Sequence, residues 1–244
     1  MKNKKIITCV ITHNRLDYTK KCLQSYINTT NRDEVFLVVV DNASSDGTQD
    51  WLQGIDAIDM LILNEQNIFP GGAVNQGWNL ALEVCNTKLL HRSDNDGEYQ
   101  HGWLESVEKV FEWDGLGQFG LLTFDENGGN GMEYNPTTHP LYEDLLINWH
   151  YGANIGGLCV VNKIVWDQGV RYQEKEWQPG ANEDFWFSNE IRNKGFTLAA
   201  TCDPIVINLS KDQLEKYPEY TAETNAKRNI GWHWYKDENG EWKW

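Results

Sequence analysis

Val35–Val40 (VFLVVV) is an unbroken apolar run that stops abruptly at Asp41-Asn42. A strand with one wet face alternates polar and apolar residues. A continuous run needs cover on both faces, as a central strand of a parallel sheet has. The neighbouring segments agree with that requirement. Lys5–Thr12 reads as a second buried strand, followed by the polar turn His13-Asn14-Arg15; Leu16, Thr19, Leu23, Tyr26 and Ile27 then recur at helical spacing. A short helix is predicted through Trp51-Leu52, a strand at Met60–Leu63 and a loop at Asn64–Gly72. Val74, Trp78, Ala81, Leu82 and Cys85 form the apolar face of the next helix. Another strand enters Lys88–Gly97, a helix carries Leu104, Val107 and Phe111, and Phe119–Phe124 is strand again. Strands alternating with helices predict an α/β domain with a mainly parallel central sheet flanked by helices.

The pattern fails from Asp125 to about Tyr151, a stretch rich in Gly, Asn and Pro that reads as a long loop or lid. Order returns at Ile155–Val161, with a helical piece at Ile164–Asp167. Glu183–Lys194 is predicted to be a helix closed by Gly195, and Thr197–Leu209 a last strand region. From Ser210 the chain is charged and aromatic, with Trp232, Trp234, Trp242 and Trp244. The expected organisation is one domain over residues 1–209, with an extension, 210–244, packing on it.

In open α/β sheets ligands bind beyond the carboxyl ends of the strands. His13–Arg15, Asp41 and the pair Asp94/Asp96 all fall at such ends. Residues i and i+2 of an extended segment share a side, so Asp94 and Asp96 are expected to point the same way. Paired carboxylates suit a hard divalent cation, Mn²⁺ or Mg²⁺, which also takes oxygens from a diphosphate. Asp94-Asn-Asp-Gly97 is equally good turn chemistry. Glu183-Asp184 has a comparable plain reading, since acidic residues in a first helical turn complement the dipole.

Composition narrows the partners. Lys+Arg 21 against Asp+Glu 36 leaves a net charge of −15, which disfavours a nucleic-acid partner or acceptor. The cysteines at 9, 22, 85, 159 and 202 form no C-x-x-C pair and read as reduced thiols of a cytoplasmic protein. The apolar run Ile6–Ile11 is too short for a leader or a membrane span, and no other segment is long enough to cross a bilayer. Eight of the twelve tryptophans follow residue 140, so Trp149, Tyr151, Trp177, Trp186, Trp232 and Trp234 are candidates to offer flat faces to a ligand.

Five stretches, taken in order over most of residues 5–200, resemble the family 2 glycosyltransferases, which have the GT-A fold. They are Cys9–Asn14 with Leu23-Gln-Ser25, Val39-Val-Asp-Asn-Ala-Ser-Ser-Asp-Gly-Thr48, Asn67–Asn75, Asp94-Asn-Asp96 and Glu183-Asp184. The resemblance implies that Thr12, Asn14, Arg15 and Asn75 lie along a nucleotide-diphosphate sugar and that Asp41 hydrogen-bonds the base. It implies that Asp94 contacts the ribose or donor sugar, that Asp96 with Asp94 holds the metal, and that Glu183 and Asp184 are the catalytic pair, with Asp184 the base. Val74 stands where many members have Arg. Ile207-Asn208 stands where many have His, which makes His233 a candidate third ligand, with Asn208 or water the alternatives. His13, His91, His101, His139 and His150 read as structural or acceptor-side.

The activity this implies is metal-dependent, inverting transfer from a UDP-sugar to an acceptor hydroxyl on a glycan, a protein or a small molecule. Two other readings stand beside it: a non-catalytic carbohydrate-binding or scaffold protein of the same fold, and a sugar-nucleotide pyrophosphorylase. The latter needs a Gly-rich, basic loop after the first strand, which His13-Asn-Arg-Leu16 is not.

Overall fold

The apolar runs assemble into a nine-stranded mixed sheet in the computed structural model, which describes residues 1–123, 136–149, 155–174, 183–217, 219, 235–236 and 242–243. Across the sheet the order is β4 (Met60–Leu63), β3 (Val35–Asp41), β2 (Ile6–Thr12), β6 (Leu89–Asp94), β11 (Cys159–Asn162), β8 (Leu116–Gly120), β12 (Thr197–Thr201), β10 (Tyr142–Trp149) and β9 (Pro136–His139). The first four are mutually parallel; β11 and β10 run against their neighbours. Three short pairs lie outside it: β1 (Lys2–Asn3) with β5 (Cys85–Asn86), β7 (Gly97–Tyr99) with β13 (Val206–Asn208), and β14 (Tyr235–Lys236) with β15 (Trp242–Lys243). The helices are α1 (Leu16–Thr29), α2 (Thr48–Leu52), α3 (Phe69–Val84), α4 (Trp103–Val110), α5 (Lys163–Asp167), α6 (Glu183–Asn193) and α7 (Gln213–Lys216).

Every residue of β2 and β3 is buried, the polar Thr8, Thr12 and Asp41 included. Leu37 and Val39 pack on one face with Leu23 and Tyr26 of α1 and Trp103 and Val107 of α4. Phe36, Val38 and Val40 pack on the other with Val74 and Trp78 of α3 and Phe187 of α6. The period of two along one strand therefore supplies both cores. Gly77 shows how close α3 lies: a Cβ there would sit 2.5 Å from the Cys9 sulfur of β2.

Three expectations are corrected. The stretch expected to be a lid up to Tyr151 contains the hairpin β9–β10, which extends the sheet at its edge. Its buried positions include Ile147, Asn148 and His139, whose Nε2 bonds the Val110 carbonyl at 3.0 Å. The loop expected through Gly72 ends earlier, because α3 begins at Phe69 and takes Pro70 into its first turn, where a missing N–H costs nothing. The single strand region expected over Thr197–Leu209 is two strands in different sheets, since β13 leaves to pair with β7. Truncating the hairpin's anchor, Ile147→Ala, should cost about 2–5 kcal/mol in urea unfolding, where a mobile lid would lose nothing.

Candidate active site

The carboxyl ends of β2, β3 and β6 finish at one level. Thr12 pairs with Asp41 across β2–β3, and Ile11 pairs with Asp94 across β2–β6. The loops leaving these ends hold strained backbone, with Asn14, Arg15 and Ala43 at φ 54°, 60° and 65°. Non-glycine residues in the left-handed region cost of order 1–3 kcal/mol each and persist only where surroundings over-determine them. Here the two loops lock together. The Asn14 amide donates to Ser44 Oγ at 2.7 Å, the Ser45 amide to Asn14 Oδ1 at 2.8 Å, and His13 Nδ1 bonds the Asn42 carbonyl at 2.8 Å. Asp41 is fully buried. Its Oδ1 accepts from the Ser44 amide and from Gln49 Nε2, at 2.8 and 2.7 Å, while its buried Oδ2 has no hydrogen-bond partner among the described residues.

The D-x-D does not lie on one extended run, as the i, i+2 argument assumed. β6 ends at Asp94, and Asn95-Asp96 form the turn into β7. Asn95 turns inward instead, donating to Asn14 O at 3.1 Å, Thr19 Oγ1 at 2.9 Å and Thr12 Oγ1 at 3.2 Å, and accepting from Arg15 Nη2. Each carboxylate then meets its own guanidinium. Arg15 Nη1 donates to Asp96 at 3.2 Å, and Arg92 reaches Asp94 at 3.3 Å. Burial raises the Asp96 carboxyl above its ordinary value, with Arg15 pulling it back.

The first turn of α6 reaches the same rim. Arg92 Nη1 donates to Asp184, and its Nη2 donates to Glu183 at 3.1 Å. Burial pushes the Asp184 carboxyl up to about 8; Arg92 opposes the shift, and Glu183 and Asp94 add to it. Phe187, Ser188 and Ile191 point inward with Asp184, whereas Phe185 and Trp186 are exposed. Trp186 is two residues on, about 200° round the helix, so it faces away from Asp184. Asn75 is committed to the chain itself: its Nδ2 donates to the Tyr172 carbonyl and Glu174, both at 2.8 Å, and its Oδ1 accepts the Tyr172 amide at 3.1 Å. His91, buried between Thr8 and Tyr99, is lowered to about 3 by desolvation and stays neutral.

The described candidates thus form a connected set. Thr12, Asn14, Arg15 and Asp96 meet through Asn95; Asp41 joins through Ser44; Asp94, Glu183 and Asp184 meet at Arg92, and Asn75 stands behind Tyr172. Sequence reasoning missed Arg92, Asn95 and Tyr172 as members. The available signal was an arginine two residues before Asp94 in a strand entered by Leu89 and Leu90, since Arg is almost never fully buried without a partner.

Among the described residues no group of three or more His, Cys, Asp or Glu side chains is placed to hold a metal. His233, Tyr151, Trp177, Trp232 and Trp234 lie outside the described residues, as does the side chain of Trp149. Asn208 is close to the turn: it pairs with Gly97, and the Leu209 amide donates to the Asp96 carbonyl at 2.7 Å. Its Oδ1 accepts from the Ser210 amide and hydroxyl. Asp94 and Asp96 are an all-oxygen donor pair, which fits a hard cation that draws its remaining ligands from water and phosphate.

Known proteins agree with this architecture. The mannosyltransferase PcManGT from Pyrobaculum calidifontis, solved with GDP-Man and Mn²⁺, superposes with a TM-score of 0.66 at 16% identity, over 92% of this chain and 61% of that one. TarS of S. aureus (residues 1–349), solved with UDP-GlcNAc, gives 0.59 at 16% identity, over 83% and 57%. An uncharacterised glycosyltransferase of Methanocaldococcus jannaschii is 23% identical over 181 residues, 69% of this chain. The chain spans 58% of that relative's length. No helix among the described residues is long and apolar enough to cross a membrane. The sequence profile of glycosyl transferase family 2 matches residues 8–197, most of the chain, and the chain therefore belongs to that family, with its GT-A fold.

Proposed function

We propose that this chain moves a sugar from a nucleotide-diphosphate donor, a UDP-sugar, to an acceptor hydroxyl, with inversion at the anomeric carbon. The observation that carries the reading is the gathering of Asp41, Asp94, Asp96 and Asp184 from three separate segments at one strand-end rim. The buried, unpartnered Oδ2 of Asp41 calls for an N–H donor, and the imide N–H of uracil is one. Thr12, Asn14 and Arg15 would line the path from that base towards the diphosphate. Asp94 would face the ribose or donor sugar.

Asp96 and Asp94 would hold Mn²⁺ or Mg²⁺, with His233, Asn208 or water completing the protein side. Such a cation, when bound, neutralises the charge that builds on the leaving diphosphate. Asp184 would accept the proton of the acceptor hydroxyl, and attack from its side, opposite the diphosphate, inverts the centre. Asn75 supports the reading indirectly, by clasping the Tyr172 backbone. The acceptor proposed is a glycan, a protein side chain or a small molecule; the net charge of −15 disfavours a nucleic acid. The free cysteines, four of them buried, favour a reducing, cytoplasmic setting. Residues 210–244 are proposed to pack on the domain as an extension. The ring of Tyr217 supports this, lying edge-on to Tyr18 of α1 at 5.1 Å.

Titration of UDP into the Asp41→Asn variant tests the base contact. Asn keeps the acceptor that Ser44 and Gln49 use and presents an N–H where the base also brings one. UDP affinity should fall about 10–100-fold, the value of a hydrogen bond to a charged group. Unchanged affinity would remove Asp41 from the nucleotide site. The pH profile tests the base. Only the carboxylate of Asp184 can take a proton, and its pKa is raised to about 8, so kcat/KM should climb as pH rises through 8 and level off above it. A profile flat from pH 6 to about 9 would contradict the assignment.

A further inference from the structure

We propose that Arg92 is the positioning residue of this site, holding the base carboxylate of α6 and the donor-facing carboxylate of β6 at one fixed spacing. The inference rests on the transferase reading above, but the geometry that carries it is independent of that reading. Arg92 lies two residues before Asp94 in β6, so both side chains leave the same face of the strand. Its side chain is 2% exposed, and one guanidinium serves three carboxylates from two distant stretches. Nε and Nη2 donate to Asp94 Oδ1 at 3.3 Å, Nη2 also to Glu183 at 3.1 Å, and Nη1 to Asp184.

The plane of the guanidinium is set as well. Its carbon lies 4.9 Å from the centre of the Tyr172 ring, and that ring stacks on Phe187 of α6 at 3.7 Å and 9°. Tyr172 is in turn fixed by its backbone bonds to Asn75. The arginine is therefore clamped between a strand, a helix and a ring, with Nε and Nη2 turned to Asp94, Nη2 shared with Glu183, and Nη1 given to Asp184. Folding alone does not ask for this. A buried charge cluster is commonly no more stable than well-packed apolar side chains of the same volume, and apolar Leu90 and Val161 occupy neighbouring positions of the same core. What the cluster does supply is geometry, because a planar fork fixes direction where an ammonium supplies only charge.

The test compares wild-type protein with Arg92→Lys and Arg92→Ala. UDP release from a panel of UDP-sugars with Mn²⁺ gives kcat and KM, titration gives UDP affinity, and crystal structures of the variants give the Asp94–Asp184 spacing. Arg92→Lys keeps the charge and loses the fork. Its kcat should fall ~10²-fold, the cost of misplacing reacting groups by about 1 Å, while UDP affinity stays within about threefold. Millimolar guanidinium ion, but not ammonium, should restore part of the turnover of Arg92→Ala. In both variants Asp184 should leave its wild-type position. Equal losses of kcat and UDP affinity, wild-type turnover in Arg92→Lys, or an unmoved Asp184 would each overturn the proposal. If wild-type protein releases no UDP from any donor, the transferase reading fails, and the carboxylate spacing in the variant structures still decides the role of Arg92.

Discussion

Asp184→Asn should bind UDP and Mn²⁺ as wild type does and transfer sugar about 10²–10⁴-fold more slowly, the contribution typical of a general base. The substitution keeps the size and the hydrogen-bonding oxygen that faces Arg92, so the first turn of α6 retains its place. What it removes is the ability to take a proton, and an acceptor hydroxyl is a weak nucleophile without that help. The fall should appear in kcat with little change in donor KM, the pattern of an interaction made only in the transition state. Glu183→Gln, one residue away and bonded to the same arginine, should lose much less, since that carboxylate has no proposed proton to accept. Normal transfer by Asp184→Asn would show that the base lies elsewhere.

Asp96→Ala should abolish the Mn²⁺-dependent rise in melting temperature expected of the wild type with UDP, and should lower transfer by at least ~10²-fold, since charge neutralisation by a cation is worth several kcal/mol. The variant also strips Arg15 of its carboxylate partner, and the two side chains are only 9% and 16% exposed. Part of any loss could therefore come from a stranded charge. Asp96→Asn separates the two effects. It keeps an oxygen for Arg15, so the fold should melt near wild type without ligand, yet a neutral amide is a much poorer ligand for a hard cation. If Asp96→Asn responds to Mn²⁺ as fully as wild type does, the cation is not held at the turn after β6.

The sheet was legible because its central strands carry their burial in their own composition. Val35–Val40 is apolar without a break and Ile6–Ile11 is broken only by Thr8, and cover on two faces explains that. Their polar ends pointed to the rim before any contact was known. The hairpin β9–β10 was not legible, because among its described side chains only His139, Ile147 and Asn148 are buried. Its strand character comes from pairing with β12, a partner over fifty residues away. Phe69-Pro-Gly-Gly72 reads locally as a turn, and it becomes the start of α3 because Gly71 packs against the Gln173 carbonyl, where a Cβ would sit 2.1 Å from the oxygen. In the site, single positions such as Asp41 and Asp184 could be named from their motifs. Arg92 could not be assigned Glu183 and Asp184, nor Asn75 Tyr172 and Glu174, because those partners lie 91 to 99 residues further along the chain.

The central claim is that one nucleotide sugar spans the rim from Asp41 to Asp184. Crystals soaked with UDP and Mn²⁺ test it most directly. The expected density is a single UDP, its base imide against Asp41 Oδ2, its diphosphate sharing a cation with Asp96, and Asp184 facing the open end of the diphosphate. UDP seated away from Asp41, or a cation bound without contact to either Asp94 or Asp96, would contradict the account.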